Sequence, residues 1–183
     1  MRKLVVVISG PPGAGSSTVA KKAAKQLKLK FFSAGKLQKK LIKGWEKEEA
    51  RAALESWKTP VGASDKTHKD RDAFQIKLAK KGGIVICSKL GIHFLKNLSK
   101  YKIWLDVPLK ARAERTANRD KTPVEKSLKE VAKREEIERR EWKRMYGFDY
   151  FDQKFDADFV LDSSKITPSQ TVKLILEFIK SKK

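Results

Sequence analysis

Glycines at positions 10, 13 and 15, followed by Ser16, Ser17 and Thr18, make up GPPGAGSST, a stretch whose backbone could do chemistry. Glycine permits tight, partly left-handed turns, and such turns aim successive N–H groups into one concavity. A helix opening at about Ser16 would add its first-turn amides and the positive end of its dipole to the same anion site. The apolar run Leu4 to Ile8 enters the turn and a helix-compatible segment leaves it, giving the order strand, loop, helix. This order reads as a phosphate-binding loop for a nucleoside triphosphate. Gly10, Pro11, Pro12, Gly13, Ala14, Gly15, Ser16, Ser17 and Thr18 would line the phosphates, and the Ser17 hydroxyl would reach a magnesium ion. The pattern GxxxxGK[ST] fits at Gly10, Gly15 and Ser17, but Ser16 stands where a phosphate-reaching lysine is expected.

Fast phosphoryl transfer would then need a cation from elsewhere. Arg112, Arg115 and Arg119 fall on one face of a helix, and Arg134, Arg139, Arg140 and Arg144 follow on a second charged segment. A guanidinium presents a planar fork that matches phosphate oxygens and a developing transition-state charge. The same residues could equally form a solvated face paired with glutamates such as Glu114 and Glu138, so both roles stay open.

The elements that must position these groups follow from periodicity. Leu4–Ile8 is β-branched and continuous, as in a parallel strand buried on both faces. Val19, Ala23, Ala24 and Leu27 repeat at helical spacing over 16–27, and a second strand fits Lys30 to Ser33. Gly35 opens a charged, helical segment to about Glu55, which ends near Thr59, Pro60 and Gly62. Helices are expected over 64–81, over 108–118 with Pro108 in the first turn, over 127–145 and over 167–179. Short strands fit 84–87, 103–107 and 159–161, with 90–98 a helix or irregular crossover. Charge nearly all round 127–145 predicts a helix that projects from the core. Alternating strands and helices imply a doubly wound α/β parallel sheet, whose ligands bind beyond the carboxyl ends of the strands.

The 183 residues suit one domain, and 40% hydrophobic residues suffice for a core. Cys87 is the only cysteine, which excludes an intrachain disulfide framework, and the histidines at 68 and 93 suggest no metal site. No apolar run approaches the roughly 20 residues of a membrane span. A cytoplasmic monomer with no membrane association is expected. The net charge of +21 predicts affinity for polyanions, nucleotides or RNA, although a general lysine bias would produce the same figure.

Several short motifs add a resemblance. GPPGAGSSTVA, the SAG at 33–35, QIKLAKKGGIVI at 75–86, WLDVPLKARAERTANRD at 104–120, REEIERREWKRMYGFD at 134–149 and FVLDSSKITP at 159–168 together resemble archaeal-type cytidylate kinases. The likeness runs in order over nearly the whole chain. It implies the P-loop nucleoside monophosphate kinase fold with a five-stranded parallel core. The core would span about 1–35, 71–118 and 148–183, with a monophosphate-binding region at about 36–70 and a lid at about 119–147. It further implies transfer of the γ-phosphoryl group of ATP to CMP or dCMP with Mg2+.

By that resemblance Arg112, Arg119, Arg134 and Lys89 are the catalytic candidates and Arg115 a triphosphate contact. Ser33, Gly35, Lys39, Asp72 and Lys89 would serve the monophosphate, while Tyr146, Gly147 and Asp149 match a lid-closing sequence. The acceptor side departs from the family's pattern. Cys87, Ser88 and Lys89 replace Glu, Gly and Arg after the third strand; Lys36 and Lys39 replace an acid and an arginine; and Ala73 and Phe74 replace a basic pair. A non-catalytic or RNA-associated nucleotide-binding protein on the same fold, or a kinase for another nucleoside monophosphate, is the alternative those departures leave open.

Overall fold

Chain order fixes the layers. The computed structural model describes residues 3–41 and 49–182, with side chains to 37 and from 49. Strand β1 (Val5–Ser9) leads through the glycine loop into α1 (Ser16–Gln26), and β2 (Lys30–Ser33) is followed by α2 (Ala34–Leu41). Helices α3 (Glu49–Ser56) and α4 (Asp65–Lys81) precede β3 (Ile84–Cys87), a short α5 (Gly91–Leu95) and β4 (Tyr101–Leu105). Then come α6 (Leu109–Asp120), α7 (Val124–Tyr146), a 3-10 turn at Tyr150–Lys154, β5 (Phe159–Leu161) and α8 (Pro168–Ser181). The five strands are parallel in the order β2-β3-β1-β4-β5, with Val6 opposite both Val85 and Tyr101. Among the described residues no helix is long and apolar enough to cross a membrane.

Strand alternation sends neighbouring side chains to opposite faces, and both faces of β1 are covered. Val6, Ile8, Val85, Ile103 and Leu105 pack under Val19 and Ala23 of α1 and Val172, Ile175 and Ile179 of α8. Val5, Val7, Ile86 and Trp104 pack under Ala79 of α4, Ile92 and Leu95 of α5, Trp142 of α7 and Tyr150. Each large side chain buried here contributes about 1.5–3 kcal/mol. Because β1 lies between β3 and β4, chain connections leave it in both directions, and the crevice at its carboxyl end falls at the glycine loop.

Three sequence expectations need correction. Strand β4 starts at Tyr101 and ends at Leu105, two residues earlier than expected, because the Tyr101 ring packs into the core and Pro108 already caps α6. The charged segment after Gly35 is two helices, α2 and α3, with 42–48 outside the described residues. Helix α7 does not project from the core: it lies along α6 and α3 and buries Val131, Glu138 and Trp142. Its charged side can turn inward because Arg112 and Arg134 neutralise Glu135 and Glu138 there.

Candidate active site

The loop after β1 is shaped by close approach as much as by glycine's dihedral freedom. Gly10 has φ 150° and Gly13 φ 81°; a Cβ at Gly10 would lie 2.7 Å from the Leu105 carbonyl oxygen, and one at Gly13 would lie 2.9 Å from that of Arg112. Residues with side chains would therefore push the loop off β4 and α6. Gly15, at φ 86°, caps α1, and the amides of Ser16, Ser17 and Thr18 occupy the first turn, where a helix offers no i−4 carbonyl. Pro11, Pro12 and Ala14 are buried, Ser16 and Ser17 half-buried and Thr18 exposed. The result is an anion cradle at a helix N-terminus, with the Ser17 hydroxyl on its first turn.

Two arginines of α6 brace this loop from outside. Arg112 is buried: its Nε donates to the Val107 carbonyl at 2.8 Å, its Nη1 to that of Pro12 at 3.0 Å, and its Nη2 pairs with Glu135 at 2.7 Å. Arg115 donates to the Ala14 carbonyl at 3.0 Å and to the Ser163 carbonyl, joining the loop to the segment after β5. Arg119 stands apart, where it pairs with Asp120 at 2.6 Å and Glu49 at 3.0 Å. Asp120 also accepts the Ala50 amide, so this group ties the end of α6 to the start of α3. Arg134 donates to Glu138 at 2.7 Å on the inner side of α7.

Lys89 is half-buried between loop and lid side. Its Nζ donates to the Gly10 carbonyl at 2.7 Å. Its own carbonyl accepts from Ser9 Oγ at 3.0 Å and Gln153 Nε2 at 2.8 Å. Burial pushes its pKa down to about 7, partly opposed by the negative charge of Glu138. Sequence reading missed Gln153 and Ser9 as the residues that fix Lys89; neither carries a motif signal, because both act through backbone carbonyls brought close only by the sheet.

The acceptor-side candidates are placed as follows. Ser33 is buried at the end of β2, and its hydroxyl accepts the Lys36 amide at 3.4 Å. Gly35 lies exposed in α2 with open space around it. The Lys39 side chain lies outside the described residues. Asp72 is buried on α4, where it accepts from Gln75 Nε2 at 2.8 Å and from the Tyr146 hydroxyl at 2.6 Å. Gly147 ends α7 at φ 79°, and Asp149 caps the 3-10 turn through the Phe151 amide. The structure thus brings Lys89 and Arg112 onto the loop, sets Arg134 on α7 within electrostatic reach of Lys89, and ties Asp72 to Tyr146.

Comparison with known proteins gives the family and the fold. The model of the cytidylate kinase-like family matches residues 5–165. The cytidylate kinase of Pyrococcus horikoshii is 34% identical over 91% of this chain and 83% of that protein. That of Sulfurisphaera tokodaii is 33% identical over 96% of this chain and 95% of that protein. Among solved structures, shikimate kinase from Acinetobacter baumannii is 18% identical, has a TM-score of 0.62 and spans 99% of this chain and 95% of that one. Shikimate kinase from Aquifex aeolicus gives 0.58 at 17% identity, over 98% of each chain. At such identities these two share the fold alone, and the fold is the five-stranded, doubly wound P-loop kinase architecture expected from the sequence.

Proposed function

The chain belongs to the cytidylate kinase-like family, and on that premise we propose that it moves the γ-phosphoryl group of ATP to CMP or dCMP. The P–O bond to the bridging β–γ oxygen breaks, a bond to an oxygen of the acceptor phosphate forms, and ADP leaves with CDP or dCDP. One observation carries this reading: a loop of the phosphate-binding pattern sits at the switch point of a parallel sheet, inside a chain that matches the family over 5–165.

Such transfer relies on positioning and electrostatic stabilisation more than on covalent chemistry. The loop amides from Gly13 to Ser17 hold the β and γ phosphates. The cradle fits a magnesium–triphosphate, since first-turn amides of α1 without an i−4 carbonyl line it and Ser17 offers one hydroxyl ligand on that turn. When bound, magnesium neutralises the β and γ oxygens. Arg112 and Arg115 act by fixing the loop. Arg134 faces the reacting phosphates, and Arg119 anchors the turn between α6 and α7.

The described part of 36–70 would serve the acceptor, with Ser33, Gly35 and Asp72 as its candidates and Lys39 carried as a sequence candidate alone, and 119–147 would be the lid that excludes water. The Tyr146–Asp72 and Arg144–Asp65 bonds hold lid and α4 together in the structure described. The protein acts in the cytoplasm. Separate calorimetric titrations with MgATP and CMP test the binding half of this proposal: both ligands bind if it is right, and ATP binding without CMP binding leaves only a nucleotide-binding module.

A further inference from the structure

The loop lacks its own cation. Residue 16, the first position of α1, is a serine, and it stands close to the buried thiol of Cys87 at the end of β3. Lys89 follows two residues after Cys87, just beyond the end of β3. Its ammonium does not point outward to the acceptor region. It folds back onto the carbonyl of Gly10, the first residue of the loop, at 2.7 Å.

This direction is fixed by more than one bond. The Lys89 carbonyl is held by Ser9 from β1 and by Gln153 from the 3-10 turn. Gln153 is itself buried and held by the Tyr150 carbonyl at 2.7 Å and the His93 amide at 3.0 Å. Backbone and ammonium are therefore both tied to the entry of the loop. The charges of the buried Glu138, its partner Arg134 and the loop brace Arg112 all act on Lys89, Glu138 favouring its ammonium and the two arginines opposing it. Glu138 Oε1 pairs with Arg134 while its Oε2 makes no hydrogen bond, and the carboxylate's negative charge favours the Lys89 ammonium.

We propose that Lys89 supplies, from the end of β3, the donor-phosphate cation that residue 16 does not, and that the small Ser16 side chain keeps the space for it. The two positions are then one compensated exchange: one ammonium is needed, and a second at 16 would meet the first at like charge. Lys89 contacts the β and γ phosphate oxygens of ATP, and its role at the acceptor phosphate is secondary. This assignment rests on the ATP-dependent reading above and specifies which substrate Lys89 serves.

The test moves the charge. MgATP and CMP affinities are measured by calorimetry, and turnover is measured alongside, for the native protein, K89M and S16K/K89M. Expected are a tenfold or greater loss of MgATP affinity in K89M, CMP affinity unchanged within about twofold, and recovery of at least half of the lost affinity on a logarithmic scale in S16K/K89M. K89R serves as a second variant that keeps the charge should K89M unfold, and it should hold MgATP affinity within about threefold. Loss of CMP affinity with MgATP affinity intact in K89M would overturn the assignment, as would a folded S16K/K89M with no recovery. Native protein that binds neither nucleotide would overturn the kinase reading itself, which separates the two failures.

Discussion

The Tyr146 hydroxyl, at the last residue of α7, donates to the buried carboxylate of Asp72 on α4 at 2.6 Å. It links the charged helix that covers the cleft to the helix that precedes β3. Y146F removes the donor and leaves a carboxylate oxygen without this partner, which costs about 1–3 kcal/mol. Closure should weaken with it. The expected outcome is a several-fold rise in KM for CMP with a smaller change in KM for ATP, read from initial rates with each substrate varied in turn.

Arg112 and Glu135 form a pair in which the arginine is almost wholly buried. Removing one partner of such a pair leaves the other charged and desolvated. R112M should destabilise the fold by on the order of 3 kcal/mol in urea unfolding. R112M/E135M should recover part of that loss, because the stranded carboxylate is gone. MgATP affinity should stay low in both variants, since the Pro12 carbonyl has lost its brace.

At Gly13 a methyl group would meet the Arg112 carbonyl at 2.9 Å with φ at 81°. The backbone strain alone is about 1–3 kcal/mol. G13A is expected to lower the melting temperature and to weaken MgATP binding tenfold or more. G35A is the contrast: nothing lies within 4 Å of the added carbon and the residue is helical. It should raise stability by roughly 0.5–1 kcal/mol, as alanine does in place of helical glycine. Melting curves and calorimetry on both variants check this pair.

Much of this was legible in the sequence, and the divide has a physical basis. The apolar run Leu4–Ile8, the spacing of Gly10, Gly13 and Gly15, and the helical pattern over 167–179 are local signals, and they led to the right strand, loop and last helix, the strand one residue early. What depended on partners far along the chain was not legible. The inward side of α7 looked solvated because Glu135 finds Arg112, 23 positions away, only once α6 and α7 pack. The direction of Lys89 was not legible either, because it is decided by Ser9, Gly10 and Gln153, which lie at 80, 79 and 64 positions' remove.

Lys89 also sets a pH dependence. Burial holds its pKa near 7, against 10.5 ordinarily, with Glu138 acting to raise it and Arg134 and Arg112 to lower it. Above pH 7 the free protein therefore carries it largely as the neutral amine, and bound phosphate favours the cation. MgATP binding at pH 8 should take up a fraction of a proton, seen as a dependence of the binding enthalpy on buffer ionisation heat. K89M should abolish that dependence. The unfolded chain keeps this proton up to about 10.5, so unfolding takes up a proton between about pH 7 and 10.5, and this group's contribution to stability rises with pH across that window.

The central claim is phosphoryl transfer to a cytidine monophosphate. A coupled assay that detects ADP, run with ATP, magnesium and CMP, dCMP, UMP, AMP or no acceptor, measures it directly. Magnesium-dependent turnover with CMP or dCMP, at least tenfold above that with AMP and above the acceptor-free rate, is the predicted result. Absence of turnover with every acceptor at high enzyme concentration, or turnover indifferent to the acceptor, would contradict the account.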